Sequence, residues 1–237
     1  YYYSSPLTLL LSLPTHTTAF LQIVDAFTYA SDKEWARELL ANAKNRNCIY
    51  GRITAKRVVF LVDVSGSMAA TFTRDGVQYT RLSYIAKQLT AVVRDDLSAA
   101  QSFNLYHFSG GPPTAWAAGL QPWTAANLAS ATNFIATWSP NMPPGPYGTD
   151  IGDALIAAYA SSNDVLAVYL LTDGFPNMGP SATQIISSSL IQGKNRTIPT
   201  HTMAFIMGHM DGDNATASKE LMLSIAGATG GTYRAME

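Results

Sequence analysis

Charge is scarce in this chain. Asp, Glu, Lys and Arg make up 13% of its 237 residues, against about 25% in an average soluble domain. The 15 basic and 16 acidic residues nearly cancel, for a net charge of -1. With no basic excess to hold phosphates or anionic headgroups, nucleic acid and an anionic membrane are excluded as expected partners. A single cysteine, Cys48, excludes an intrachain disulfide; it reads as a small core residue rather than a reactive thiol. Long apolar runs are missing too. The stretch Pro6 to Leu13 is far too short to span a bilayer, and no basic segment precedes it as in a signal peptide. The chain opens on "YYYSS" without Met, so a processed or trimmed N-terminus is expected. No G-x-S-x-G elbow accompanies the serines, and nothing marks His107, His201 or His209 as a base, which speaks against a serine nucleophile.

What is present is Ser, Thr, Ala and Gly in quantity, with 47% hydrophobic residues, ample for a core. A surface of that kind faces protein more readily than water, as in an assembly subunit. Two sequons, at Asn195 and Asn214, permit a secretory route without establishing one. "MDGDN", Met210 to Asn214, lacks the spacing and downstream acid of a calcium loop and reads as an exposed turn, and the methionines around it as core.

From Lys56 onward, strand-like and helix-like segments alternate. "RVVFLVD" is a β-branched apolar run of the kind a strand covered on both faces requires. "TRLSYIAKQLTAVVRDDL" places Leu82, Ile85, Leu89, Val92 and Val93 on one helical face. "SFNLYHFS" alternates in period two, as a second strand does, and "TAWAAGL" is short enough for an edge. "TAANLASATNFIATW" is a helix that Thr124 caps, and "TDIGDALIAAYASS" is another. "DVLAVYLLTDG" repeats the first design, an apolar strand that ends in an acid. A helix, a strand in "IPTHTMAFIMG", a helix over "ATASKELMLSIAGATGG" and a last strand in "TYRAME" complete the series. Strands separated by helical lengths predict βαβ units and a mostly parallel sheet. Residues 1–50 differ. They form an N-terminal extension: an extended arm, then a helix over residues 31–47 that starts with a Ser31–Glu34 capping box. Residues 51–237 form the main domain.

Why a buried strand should end in "DVSGSM" has three answers: a capped strand-to-helix turn, a catalytic serine, or a metal site. Ligands of open parallel sheets bind at the carboxyl ends of strands, and Asp63 and Asp173 both stand at such ends. Two acids at one rim repel unless a cation or proton lies between them. Ser65 and Ser67 add neutral oxygens beside Asp63, and Thr149, in "YGTDIGDAL", supplies a fifth from another loop. Hard oxygen donors of this kind suit Mg2+. Asp150 is either a supporting acid or simply a helix N-terminal one.

"DVSGSM", "GTDIGDAL" and "LLTDG", in that order, closely resemble the von Willebrand factor type A (vWA) domain, nearest the branch of inter-alpha-inhibitor heavy chains and calcium-channel auxiliary subunits. The resemblance covers roughly Lys56 to Glu237. It implies a three-layer, doubly wound, mostly parallel α/β sheet of Rossmann-like type, non-enzymatic and placed outside the cell or on its surface. It also implies a metal-ion-dependent adhesion site built from Asp63, Ser65, Ser67, Thr149 and Asp173. There Mg2+, with Ca2+ or Mn2+ as alternatives, keeps a coordination position open for an Asp or Glu of a protein partner. The family continues into a further helix after its last strand, whereas this sequence ends at Glu237: either it stops short of that helix or the helix is absent, and in the second case residues 1–50 are expected to cover the open sheet face, on this molecule or on a neighbouring one. The alternative is a structural subunit that polymerises through residues 1–18, with strand addition by the arm and the metal site secondary.

Overall fold

In the computed structural model, a central strand of seven residues, β1 (Arg57–Asp63), is buried from Val58 onward. It is flanked by parallel partners on both sides. A strand with no free edge and both faces covered has no place for polar side chains, which is why its sequence is an unbroken apolar run. The structure describes residues 49–51, 53–140, 147–187, 198–205 and 212–236. The arm, the 31–47 helix, Cys48, Asn195, Met207, Met210 and the proposed cover of the sheet face lie outside the described residues. The chain divides into two units, Tyr1–Arg52 and Ile53–Glu237, and the second carries the sheet and its helices.

After β1 come a short 3-10 turn (Gly66–Ala69), β2 (Thr71–Arg74), β3 (Val77–Thr80) and α1 (Arg81–Ala91), which runs into a π turn, Val92–Asp96. Then follow β4 (Ser102–Phe108), the short β5 (Thr114–Ala115) and β6 (Gln121–Pro122), α2 (Ala125–Ala136) and α3 (Ile151–Ala160). The remainder is β7 (Ala167–Thr172), α4 (Ala182–Ser187), β8 (Thr200–Phe205), α5 (Gly212–Thr229) and β9 (Tyr233–Met236). The main sheet runs β5-β4-β1-β7-β8-β9, with β6 also on β4. The long strands pair in parallel and only the two short edge strands are antiparallel. One face buries Val59, Leu61, Val168 and Leu170 against Ile151, Leu155, Met222 and Ile225 of α3 and α5. On the other, Tyr84 of α1 meets Phe205 of β8 edge to face at 6.3 Å. Helices on both faces of a mostly parallel sheet make the expected three-layer α/β fold.

Two readings change. Gly212–Asn214 are not a free turn: α5 already begins at Gly212. The β2–β3 hairpin was not anticipated. Its strands are half exposed, and it turns on Asp75 (φ 52°) and Gly76 (φ 74°), the two left-handed residues of the turn that fits strand twist. Three tryptophans serve packing: Trp116 stacks on Phe103 at 5.1 Å, Trp123 donates to the Val93 carbonyl at 2.8 Å, and Trp138 meets Phe134 edge on.

α1 starts at Thr80, whose hydroxyl accepts from the Ser83 N–H while the Ser83 hydroxyl accepts from the Thr80 N–H. Thr80→Ala removes one side of this box and is expected to cost about 1 kcal/mol, read as a lower midpoint in urea unfolding.

Candidate metal centre

The chain leaves β1 for β4 on one side and later returns to place β7 on the other. Where strand order reverses in this way, a crevice opens at the carboxyl edge. Val62 and Leu171 are paired across it, so Asp63 and Asp173 emerge side by side. A third loop joins them there, because the Asp150 N–H donates to the Ser109 carbonyl just beyond β4. The five predicted residues therefore come from two strand ends and from a loop that is bonded to the end of a third.

Asp63 is wholly buried. Its Oδ1 accepts from the Ser65 N–H at 2.7 Å and its Oδ2 from the Thr172 hydroxyl at 2.5 Å. The Ser65 and Ser67 hydroxyls lie 3.0 Å apart, and Ser67 donates to Asp173 Oδ1 at 2.6 Å. Asp173 is buried, whereas Gly66 and Ser67 are exposed, so the cluster opens to solvent on that side. Thr149 is buried, and a Cβ placed on Gly174 would come within 3.3 Å of its hydroxyl oxygen, which puts that oxygen against the residue after Asp173. The Thr149 loop is clamped from both directions: its N–H donates to Asn177 Oδ1 at 2.8 Å, and its carbonyl accepts from the Asn177 N–H at 3.2 Å.

Burial and then the neighbouring Asp173 push the Asp63 carboxyl up to about 7. Two carboxylates forced together in a low-dielectric crevice call for positive charge. The donors at hand are two acids and three hydroxyls. Among the described residues, no group of three or more His, Cys, Asp or Glu side chains gathers. Such a set fits Mg2+, Ca2+ or Mn2+ and does not fit a soft metal. Asp150 is the N-cap of α3, accepting from the Asp153 N–H at 2.9 Å.

Sequence reasoning missed Arg81. The first residue of α1, it is buried to 3% exposure, and its Nη1 lies 2.5 Å from Asp173 Oδ2. A basic residue in a helix's first turn opposes the helix dipole, which is the one local sign that it has a specific anionic partner. The serine-nucleophile reading gains nothing here. The Ser67 hydroxyl lies between Ser65 and Asp173, while the His107 ring packs on Phe134 and Trp138. Its pKa is lowered by burial. His201 stacks on Tyr169 at 4.7 Å.

Comparison with known proteins agrees with this fold. The family model described as von Willebrand factor type A domain matches residues 56–235. Human inter-alpha-trypsin inhibitor heavy chain H4 is 34% identical over 146 residues, 57% of this chain and 14% of that protein. Heavy chain H3 of Mesocricetus auratus is 26% identical over 164 residues, 65% of this chain and 17% of that one. This chain thus spans only a small part of the curated relatives' length. Among solved structures, a von Willebrand factor type A protein from Catenulispora acidiphila superposes with a TM-score of 0.56 at 19% identity, covering 79% of this chain and 40% of that one. Among the described residues no helix is long and apolar enough to cross a membrane. With three quarters of its length matched, the chain belongs to the von Willebrand factor type A domain family.

Proposed function

We propose that this domain is a non-enzymatic interaction module that binds a divalent cation, Mg2+ first among them, through Asp63, Ser65, Ser67, Thr149 and Asp173. An Asp or Glu of a protein partner would complete the site. The observation that carries this reading is the convergence of two buried carboxylates with the Ser65 and Ser67 hydroxyls at a rim that opens through Ser67. A cation bound there supplies an electrophile that few protein charges quench, so a carboxylate is attracted to it. The protein's own part is to hold the oxygens in place beforehand. The Ser65 N–H and the Thr172 hydroxyl orient Asp63, the Ser67 hydroxyl orients Asp173, and Asn177 fixes the Thr149 backbone. Placement outside the cell or on its surface is part of the proposal, supported by the low charge and by the relatedness to inter-alpha-trypsin inhibitor heavy chains.

The test is thermal unfolding in Mg2+, Mn2+ and Ca2+ against EDTA. A cation that binds only the folded state stabilises it by about 2.7 kcal/mol at a hundredfold excess over Kd, a shift of several degrees. Identical melting curves in all four conditions would overturn the cation reading.

A further inference from the structure

Arg81 is held in an unfavourable place by a specific partner. Besides opposing the dipole of α1, its guanidinium is out of water, and burial of a charge is tolerated only when it is paired. Its carbon lies 5.8 Å from the Phe205 ring centroid, and its Nη1 reaches Asp173 Oδ2, an oxygen of the proposed donor set. The oxygens of Asp173 are thereby shared out: Oδ1 faces the Ser67 hydroxyl and Oδ2 the guanidinium. The backbone holds this arrangement in place, since the Arg81 N–H donates to the Ala70 carbonyl at 2.9 Å.

Charge balance then has a consequence. Two carboxylates alone would neutralise a divalent cation. Two carboxylates and one guanidinium leave a single negative charge, so the loaded site carries one surplus positive charge, the amount that one incoming carboxylate cancels. We propose that Arg81 couples the two binding events of this site: it weakens the cation taken alone and favours the cation taken together with an anionic carboxylate ligand. The proposal rests on the cation reading of the site. By linkage, the carboxylate raises cation affinity by the same factor as the cation raises that of the carboxylate. A module of this kind holds its cation firmly only when engaged.

The experiment is a Mn2+ titration followed by electron paramagnetic resonance, at mildly alkaline pH, with acetate as the probe carboxylate and chloride at equal ionic strength as the control. Wild type is compared with Arg81→Gln, Arg81→Met and Arg81→Lys. In chloride, Arg81→Gln and Arg81→Met are expected to bind Mn2+ about tenfold more tightly than wild type. Acetate should tighten Mn2+ binding several-fold in wild type and much less in these variants. Arg81→Lys keeps the charge and should stay close to wild type. A merely structural arginine would lower the melting temperature when replaced without tightening Mn2+ binding, so equal or weaker affinity in the neutral variants overturns the coupling and leaves the cation site standing. Failure of every protein to bind Mn2+ overturns the cation reading and the coupling with it. Should the neutral variants not fold, wild type still decides: Mn2+ affinity indifferent to acetate overturns the proposal.

Discussion

Asp63→Asn is expected to abolish cation binding and yet raise the melting temperature in EDTA. The two effects have one cause. The Asp63 carboxyl, wholly buried and beside Asp173, is pushed up from 3.8 to about 7, so its ionised form is disfavoured in the folded domain unless a cation compensates. Below about pH 4 the group is protonated in both folded and unfolded chains, and its burial costs little. Between about pH 4 and 7 the unfolded chain gives up the proton while the folded domain keeps it, so stability falls as pH rises. Above about 7 both are ionised and the loss levels off. Asparagine is neutral throughout and keeps an oxygen for the Ser65 N–H. It gives up the charge-assisted bonds with Ser65 and Thr172, so the net gain near neutral pH is about 2 kcal/mol rather than the full titration cost. In Mg2+ the order reverses, because only wild type gains from the ion. Cation affinity of the wild type should also rise from pH 5 to about 7, as the proton ceases to compete with the metal, and then flatten. Melting curves of the two proteins in EDTA and in Mg2+, between pH 4 and 8, check all of this. An asparagine variant that melts lower in EDTA at every pH would mean that the lost bonds outweigh the burial cost.

The parts of this site that could be read from the chain are those that local chemistry dictates. Val58 to Val62 and Val168 to Leu171 are covered on every side, so their apolar runs are conspicuous. An acid after such a run finds the first backbone N–H of the turn, as Asp63 finds Ser65. Asp173 is legible in the same way, as the acid that ends a second apolar run, and Thr149 as a hydroxyl at the start of a helix; that both lie beside Asp63 depends on strand order, which no local pattern carries. The hairpin escaped notice because Thr71–Arg74 and Val77–Thr80 bury little and show no apolar run; only Asp75-Gly76 announced it. Arg81 escaped because its partner is 92 residues away. Asn104 of β4 is a polar side chain with no exposure at all. Asn104 Nδ2 donates to the Ala117 carbonyl at 2.8 Å, and such a bond to a distant loop leaves no trace in periodicity.

The second large effect is expected at Gly179, a position that touches no proposed cation ligand. Its φ of +67° is costly for any residue with a side chain, and a Cβ there would lie 2.2 Å from Asp150 Oδ1. That carboxylate cannot simply swing aside, since it caps α3 by accepting from the Asp153 N–H. Gly179→Ala therefore strains the backbone and dislodges the cap together, at about 3 kcal/mol. The damage also reaches the rim. Asn177, two residues before Gly179, bonds the Thr149 backbone in both directions, so a loop pushed off Asp150 loosens its grip on the Thr149 oxygen. Cation affinity is expected to fall along with stability. A double-mutant cycle separates steric conflict from backbone strain: Asp150→Ala removes the obstructing carboxylate, and the paired variant should lose at least about 1 kcal/mol less than the two single losses together. Strict additivity in urea unfolding would assign the whole loss to the backbone of Gly179 and release Asp150 from any part in holding this loop.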